Sequence, residues 1–395
     1  MNDLIRYLLI KSRFGYYKPS ISRSSRNKLT KVSGQGLYVK NVKNYKFKNL
    51  ILLSEFKSLL EKCTINGGYK KIYKFWLWVN HNFKYFPLNG ASKIIYGGLP
   101  NFISDACLVK IDNVEIYPNK YSGNYRQKYT FYLKPKKTLN YDVEKIITFN
   151  IGGAQTFQHF MQDCLPIIAQ TKSFLKMNSD IFILMQEPDK NFKTRGYFFD
   201  KLQITNRVID SSSINSLTVK SAYFWSFKPY NSQYTLPPKF YETLRAEMSS
   251  TTLPIGQRTI LLFIRNEKTR NFENEFQIIQ TLNQVATRYE LTLEVLNTSE
   301  SPIDQIVAAV KQAVLIIGVH GGSMYNAIFC SNDCTVIEVI PTSRTNSTLH
   351  YLTYSGINYI PFPCSFDFYD EKVNVPLIPL KNLIDHAFNS NLHNF

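Results

Sequence analysis

The stretch VLIIGVHGGSMYNAIFC, from Val314 to Cys330, decides the fold. Its first four residues are apolar without a polar break, as in a strand covered on both faces inside a parallel sheet. The chain leaves that strand through His320, Gly321 and Gly322, and a short helix is expected from about Ser323. Outward on the C-terminal side lies TVIEVI (Thr335 to Ile340), a second strand. On the N-terminal side, SPIDQIVAAVKQA carries Ile303, Ile306, Val307 and Val310 on one helical face, with Ser301 expected as N-cap and Pro302 at the first helical position. Before it come the strand LTLEVLN, a helix with Ile278, Leu282, Val285 and Tyr289 along one side, and the strand TILLFI (Thr259 to Ile264). Strand, helix and strand repeated with short links is the pattern of a doubly wound parallel sheet.

The front half repeats the idea less regularly. EKIITFNI reads as a strand, GGAQ as a turn containing Gly152 and Gly153, TFQHFMQDCLPIIAQTKSFLK as a helix interrupted near Pro166, and DIFILMQ as a strand. Residues 100–140 read as shorter β segments. SSTTLPIGQ (Ser249 to Gln257), polar with Pro and Gly, is the linker candidate. Two α/β domains joined near residue 250 leave a cleft, and ligands in such sheets bind beyond the carboxyl ends of the strands. The expected division is a basic segment 1–35, an α/β domain 36–250, a Rossmann-like domain 251–365 and a helix within 366–395 that packs back.

The composition bounds the partners. The chain has 395 residues, 44% of them hydrophobic, so a globular core is affordable in each domain. Forty-seven Lys and Arg against 29 Asp and Glu leave a net charge of +18, which favours an anionic partner: nucleic acid, an acidic lipid surface or a phosphate-bearing small molecule. A coding bias toward lysine explains the excess equally well. Many aromatic residues lie in apolar periodic segments, which is core behaviour, and no nucleic-acid module is present; no nucleic-acid partner is expected. Six scattered cysteines read as reduced thiols of an intracellular protein. Cys330 and Cys334 have a metal-like spacing without a second pair nearby, and read as small buried residues. LIRYLLI is too short to span a bilayer and is followed by a tract with no acidic residue between Lys11 and Lys31, which suits either an anionic membrane surface or a disordered tail. The expected location is the cytoplasm, with the inner face of the membrane as a candidate docking surface.

Three clusters carry chemistry. His320, Gly321 and Gly322 stand at a strand's carboxyl end before a helix, where glycines admit an anion and the helix dipole favours it; a tight turn needing glycine is the competing reading. No GxxxxGK[ST] or GxGxxG motif accompanies them. In IRNEKTRNFENEF, Arg265 ends a strand and Arg270 follows five residues on, two guanidinium forks suited to a diphosphate or, alternatively, a solvated charge run. In QHFMQDCLP, His159 and Asp163 share a helix face at i and i+4, as a general-base couple or a structural hydrogen bond.

Taken in order, HF..D.LP (His159, Phe160, Asp163, Leu165, Pro166), R....R...NE (Arg265, Arg270, Asn274, Glu275), HG....N (His320, Gly321, Asn326) and E..P (Glu338, Pro341) resemble glycosyltransferase family 61 over about residues 145–345. The family commonly has HGAG where this chain has His320-Gly321-Gly322-Ser323. The resemblance implies a GT-B architecture, two Rossmann-like domains facing each other across a cleft, and inverting transfer of a sugar. It places a nucleotide-sugar donor, expected to be UDP-linked, on Arg265, Arg270, Asn274, Glu275, His320, Gly321, Gly322, Ser323, Asn326 and Glu338. The acceptor is a glycan or glycoconjugate, with synthesis of a capsule or other surface polysaccharide as the expected setting. Inverting transfer needs a proton acceptor; between His159 and Asp163 the histidine is better matched to neutral pH, with Asp163 orienting it. No cofactor and no metal are expected, because no DxD acidic pair stands beside the phosphate cluster. A basic nucleic-acid-binding protein and a non-catalytic glycan-binding protein are the alternatives.

Overall fold

A computed structural model describes residues 20–21, 30–33, 38–39, 105–119, 128–133, 143–149, 157–185, 193–211, 214, 216–228, 236, 238–248, 258–265, 270–341, 357–364 and 372–392. The basic segment, the Gly152-Gly153 turn and the linker candidate Ser249 to Gln257 lie, wholly or for the most part, outside the described residues. The described residues through Met248 form one compact unit and those from Arg258 a second. No helix among the described residues is long and apolar enough to cross a membrane.

The first unit is built on a nine-stranded mixed sheet. Its strands are β1 (Ser20–Ile21), β2 (Thr30–Lys31), β3 (Tyr38–Val39), β4 (Asp105–Asn119), β5 (Lys128–Leu133), β6 (Lys145–Thr148), β7 (Ile181–Met185), β8 (Val208–Asp210) and β9 (Leu217–Lys228). The order is β1-β5-β4-β9-β6-β7-β8, with β2 and β3 also pairing β4. β9, β6, β7 and β8 run parallel to one another and form the Rossmann-like part of this unit, and the short β1 also pairs β5 in parallel. The antiparallel part centres on β4, which pairs β2, β3, β5 and β9; where short segments were expected, β4 is 15 residues long and pairs β9 along most of its length. Alternating Leu108, Val109, Lys110 and Ile111 hide this length in the sequence, because both parities carry apolar residues.

The helical segment after β6 runs as an α turn (Phe157–His159), a π turn (Phe160–Cys164) and helix α1 (Leu165–Met177). Pro166 cannot donate to the carbonyl of Gln162, four residues back. Tyr241 Oη donates to that oxygen instead at 3.4 Å, and the widened π turn takes up the fault without ending the helix. Helix α1 packs on β9, where Trp225 Nε1 donates to Thr171 Oγ1 at 2.9 Å and Phe174 meets Tyr223. Helix α2 (Lys193–Leu202) follows β7, and α3 (Pro238–Met248) follows β9. Lys172 of α1 reaches Glu247 of α3 at 2.6 Å, and Thr243 Oγ1 of α3 donates to Gln170 Oε1 of α1 at 2.7 Å. Arg207 donates to the carbonyls of Leu175, Asn178 and Ile181, tying the end of α1 to the start of β7.

The second unit matches the expected pattern closely. Strands β10 (Thr259–Ile264), β11 (Thr292–Asn297), β12 (Ala313–Val319), β13 (Thr335–Pro341) and β14 (Asn358–Cys364) form one parallel sheet in the order β11-β10-β12-β13-β14. Helix α4 (Glu275–Arg288) buries Ile278, Leu282 and Val285, the face read from the sequence, against Ile260, Leu262, Leu315 and Ile317. Helix α5 (Ile303–Gln312) buries Ile306, Val307 and Val310. Its N-cap is Pro302, not Ser301, and no side chain caps it. Ser301 instead closes the preceding turn, its N–H donating to the Asn297 carbonyl at 2.9 Å. Helix α6 (Leu377–Leu392) packs back on α4: Leu380, Leu383 and Ile384 join the same core, and Arg288 holds both oxygens of Asp385 at 3.0 Å.

Candidate active site

The strand order of the second unit points to a candidate ligand site. From β10 the chain steps outward to β11, then crosses back over β10 to lay down β12, β13 and β14. The connections therefore diverge between β10 and β12, and the crevice beyond their carboxyl ends is where an open α/β sheet takes a ligand. Arg265 follows the last residue of β10, and His320 follows the last residue of β12.

Register and side-chain alternation put the polar residues on one face. Phe263 pairs with Gly318, Gly318 with Glu338, and Glu338 with Pro361. Side chains two apart along a strand share a face. Arg265, His320, Glu338 and Tyr359 consequently all point to the same side.

Gly321 explains the two glycines differently from the sequence reading. A Cβ built on it would collide with the Arg265 guanidinium and stand 3.1 Å from Arg270 Nη1. The missing side chain thus makes room for both guanidinium groups. Its φ of +156° also lies outside the range most L residues adopt. Arg270 itself takes a left-handed φ of 63°, an uncommon conformation for a bulky residue and one that clusters at ligand clamps. The loop of β10 and the turn of β12, 51 positions apart in sequence between Arg270 and Gly321, are thus one cluster.

His320 is held from behind. Its Nδ1 lies 2.6 Å from Glu338 Oε1, and Tyr359 Oη donates to Glu338 Oε2. Glu338 is 1% exposed and Tyr359 1%, whereas the His320 side chain keeps 14%. A carboxylate taken out of water costs several kcal/mol unless hydrogen-bonding partners surround it, and Tyr359 and His320 both reach this one. The His320 backbone N–H donates to the Val339 carbonyl at 2.8 Å, which fixes the ring's point of departure. With Nδ1 engaged, Nε2 is the ring atom available to a ligand.

After the turn, Gly322–Phe329 forms a 3₁₀ helix rather than an α-helix. Gly318 shows the tight fit under it, since a Cβ there would meet Met324 Sδ at 2.5 Å and Phe263 Cβ at 3.0 Å. Asn326 is buried, its Nδ2 donating to the Ser323 carbonyl at 2.9 Å inside the same helix. Ser323 Oγ and Asn326 Oδ1 are buried polar atoms with no partner among the described residues.

The remaining expected residues spread out. Both ends of the Asn274 amide bind the Val375 backbone, Nδ2 donating to the carbonyl at 2.8 Å and Oδ1 accepting from the N–H at 2.9 Å. That amide braces the segment before α6. Glu275 opens α4, and burial pushes its carboxyl above the ordinary range. His159 lies at the end of the α turn and Asp163 within the π turn of the first unit; their side chains lie outside the described residues. Of the same motif, Phe160, Leu165 and Cys164 are fully buried, with Phe160 against Phe198 and Phe199 and under the Arg195 guanidinium at 5.4 Å.

Tyr359 escaped the sequence reading. In NYIPFPC it looks like one more core residue of a strand, and nothing local marks a hydroxyl whose acceptor stands 21 positions earlier. Cys330 and Cys334 are buried, and burial, followed by the hydrogen bond to Cys330, pushes the Cys334 thiol well above its ordinary value. Among the described residues no group of three or more His, Cys, Asp or Glu side chains is arranged to hold a metal ion.

Comparison with known proteins meets this geometry. The family model described as Glycosyltransferase 61 matches residues 157–337, from the α turn bearing His159 to the strand bearing Glu338. Protein O-linked-mannose beta-1,4-N-acetylglucosaminyltransferase 2 of Homo sapiens is 23% identical over 121 residues, 31% of this chain and 20% of that one. Alpha-1,3-arabinosyltransferase XAT2 of Oryza sativa subsp. japonica is 30% identical over 81 residues, 20% of this chain and 13% of that one. The chain thus spans about a fifth of the length of the first of these relatives. Among solved structures, a diflavin flavoprotein A3 of Nostoc sp. aligns over 35% of the chain at 9% identity with a TM-score of 0.25, too low to carry an argument. The family match and the ordered motifs fall on the same part of the chain: residues 157–337 are similar to glycosyltransferase family 61.

Proposed function

We propose, from the glycosyltransferase family 61 match over residues 157–337, that the protein is an inverting glycosyltransferase. It moves a sugar from a UDP-linked donor to a hydroxyl of a glycan or glycoconjugate. The names of the relatives span N-acetylglucosaminyl and arabinosyl transfer, so the proposal extends to a hexosyl or a pentosyl group. The observation that carries it is the convergence of the Arg265 and Arg270 guanidinium groups on Gly321 at the sheet's switch point, beside a His320 buttressed by a buried glutamate.

In this reading the arginines hold the donor diphosphate and His320 Nε2 supplies a third contact. The acceptor oxygen attacks the anomeric carbon while the bond from that carbon to the phosphate oxygen breaks. Negative charge grows on the leaving diphosphate, where preorganised guanidinium donors stabilise it without needing to reorient. His159 takes the acceptor proton, with Asp163 orienting its ring. The arginines supply the positive charge that a divalent cation supplies elsewhere, so donor binding needs no metal. Two Rossmann-like domains in the GT-B manner, a cytoplasmic site of action at the inner face of the membrane, and a role in capsule or surface polysaccharide synthesis belong to the same proposal.

Isothermal titration of the full chain with UDP-, GDP- and CMP-linked sugars tests it. Micromolar binding of one of them supports the reading. No binding of any, together with salt-steep binding of DNA, would replace it with a nucleic-acid function.

A further inference from the structure

A hydrogen-bonded chain crosses three adjacent strands behind the candidate site: His320 at the end of β12, Glu338 in β13 and Tyr359 in β14. We infer that Tyr359 is a positioning residue for the donor site, acting through Glu338 to fix the tautomer and orientation of His320. The inference rests on the proposal that His320 contacts the donor diphosphate.

The argument is one of donors and acceptors. The Tyr359 hydroxyl donates to Glu338 Oε2, which leaves Oε1 as the carboxylate oxygen facing His320. An ionised Glu338 only accepts, so Nδ1 at 2.6 Å must carry the proton. The neutral ring then has its N–H turned inward, and its lone pair on Nε2 turned to the ligand. Glu338 and Tyr359 are each 1% exposed, which leaves solvent unable to replace a lost donor. Without the phenol hydroxyl, Oε2 loses its donor, the carboxylate is free to turn, and the arrangement in which Nδ1 accepts rather than donates gains ground. The ring would then bear its proton on Nε2.

Backbone geometry supports a built arrangement over a chance contact. Tyr359 pairs with Val336 and Pro361 with Glu338, so Tyr359 sits one same-face step below the glutamate it serves. Such outer partners fix the tautomer of histidines in metal sites, where their loss costs about tenfold or more.

The test uses ¹⁵N-labelled full-length chain, with His320 assigned by the signals lost in His320→Gln, and UDP as the binding probe. At a pH of about 8, above the ordinary histidine range, the wild type is expected to show a protonated Nδ1 and an unprotonated Nε2. Tyr359→Phe keeps the ring and removes only the hydroxyl. It is expected to show a mixture of tautomers and about a tenfold loss of UDP affinity. Glu338→Gln is the second variant: its amide can donate to Nδ1, and the ring is expected to switch to Nε2–H. A Tyr359→Phe protein that keeps both the wild-type tautomer and the wild-type affinity overturns the inference, as does one whose tautomer changes while the affinity does not. If the wild type fails to bind UDP at all yet Tyr359→Phe shifts the tautomer, the positioning of His320 stands and the donor reading falls.

Discussion

The first unit gathers apolar bulk where the second gathers charge. In the turn that carries His159 and Asp163, Phe160, Met161, Cys164 and Leu165 are fully buried, and Phe160 lies against two other phenylalanine rings. At the ends of β10 and β12, Arg265, Arg270 and His320 converge around a glycine with Glu338 and Tyr359 behind them. The contrast teaches that the two motifs hold their shape for different physical reasons. Phe160 and Leu165 of HF..D.LP are packing, and the chemistry proposed for that motif falls to His159 and Asp163. The second cluster is polar almost throughout, and its precision comes from hydrogen bonds that water cannot reach.

If that division holds, the largest effect is expected at the chemical residue of the first unit. His159→Ala should lower turnover by about 10²- to 10⁴-fold, the usual contribution of a general base, and leave donor affinity unchanged. Retention of more than about a tenth of the rate would remove His159 from that role. Next comes Gly321→Ala in the second unit. Its methyl displaces both guanidinium groups, and UDP affinity should fall by about 3 kcal/mol, the loss of roughly two charge-assisted hydrogen bonds. An unchanged dissociation constant by titration calorimetry would show that the arginines have room to move and that the glycine serves only the turn.

Arg265→Ala should weaken UDP binding by about 1.5–3 kcal/mol with little change in stability, one charge-assisted contact being lost. Arg207→Ala sharpens the comparison from the other side. This arginine serves three backbone carbonyls of the first unit and nothing in the second cluster. Its loss should cost about 2 kcal/mol of stability in urea denaturation and leave UDP binding intact. Equal effects of the two arginine variants on binding would erase the distinction between a structural and a ligand-holding guanidinium. The smallest effect is expected at Ser301→Ala, within about 0.5 kcal/mol of the wild type, since no side chain caps α5. A loss nearer the ~1 kcal/mol of a true N-cap would restore the sequence reading of that position.

Much of the second unit was legible in the sequence. The alternation of apolar strands with helices bearing Ile278, Leu282 and Val285, or Ile306, Val307 and Val310, gave the parallel sheet and the side of each helix that is buried. Less of the first unit was legible. Strand β4 carries apolar residues on both parities, and its partner β9 lies about a hundred residues downstream, so neither its length nor its antiparallel pairing leaves a local trace. At α5 the failure was by a single position, because a serine before a proline reads as a cap while the proline itself holds the extended φ and ψ of the N-cap.

What the sequence determines by itself is whatever the backbone repeats within a few residues: the period of a strand or helix and the strand ends at which Arg265 and His320 emerge. These follow from fixed covalent geometry and the side-chain directions it imposes. Only the tertiary structure decides which side chains meet. The Arg265 guanidinium against Gly321, Glu338 between His320 and Tyr359, and the Asn274 amide on Val375 join positions from 18 to 101 apart. Those pairings depend on strand order and register, set by the burial of the whole sheet, and no spacing along the chain encodes them.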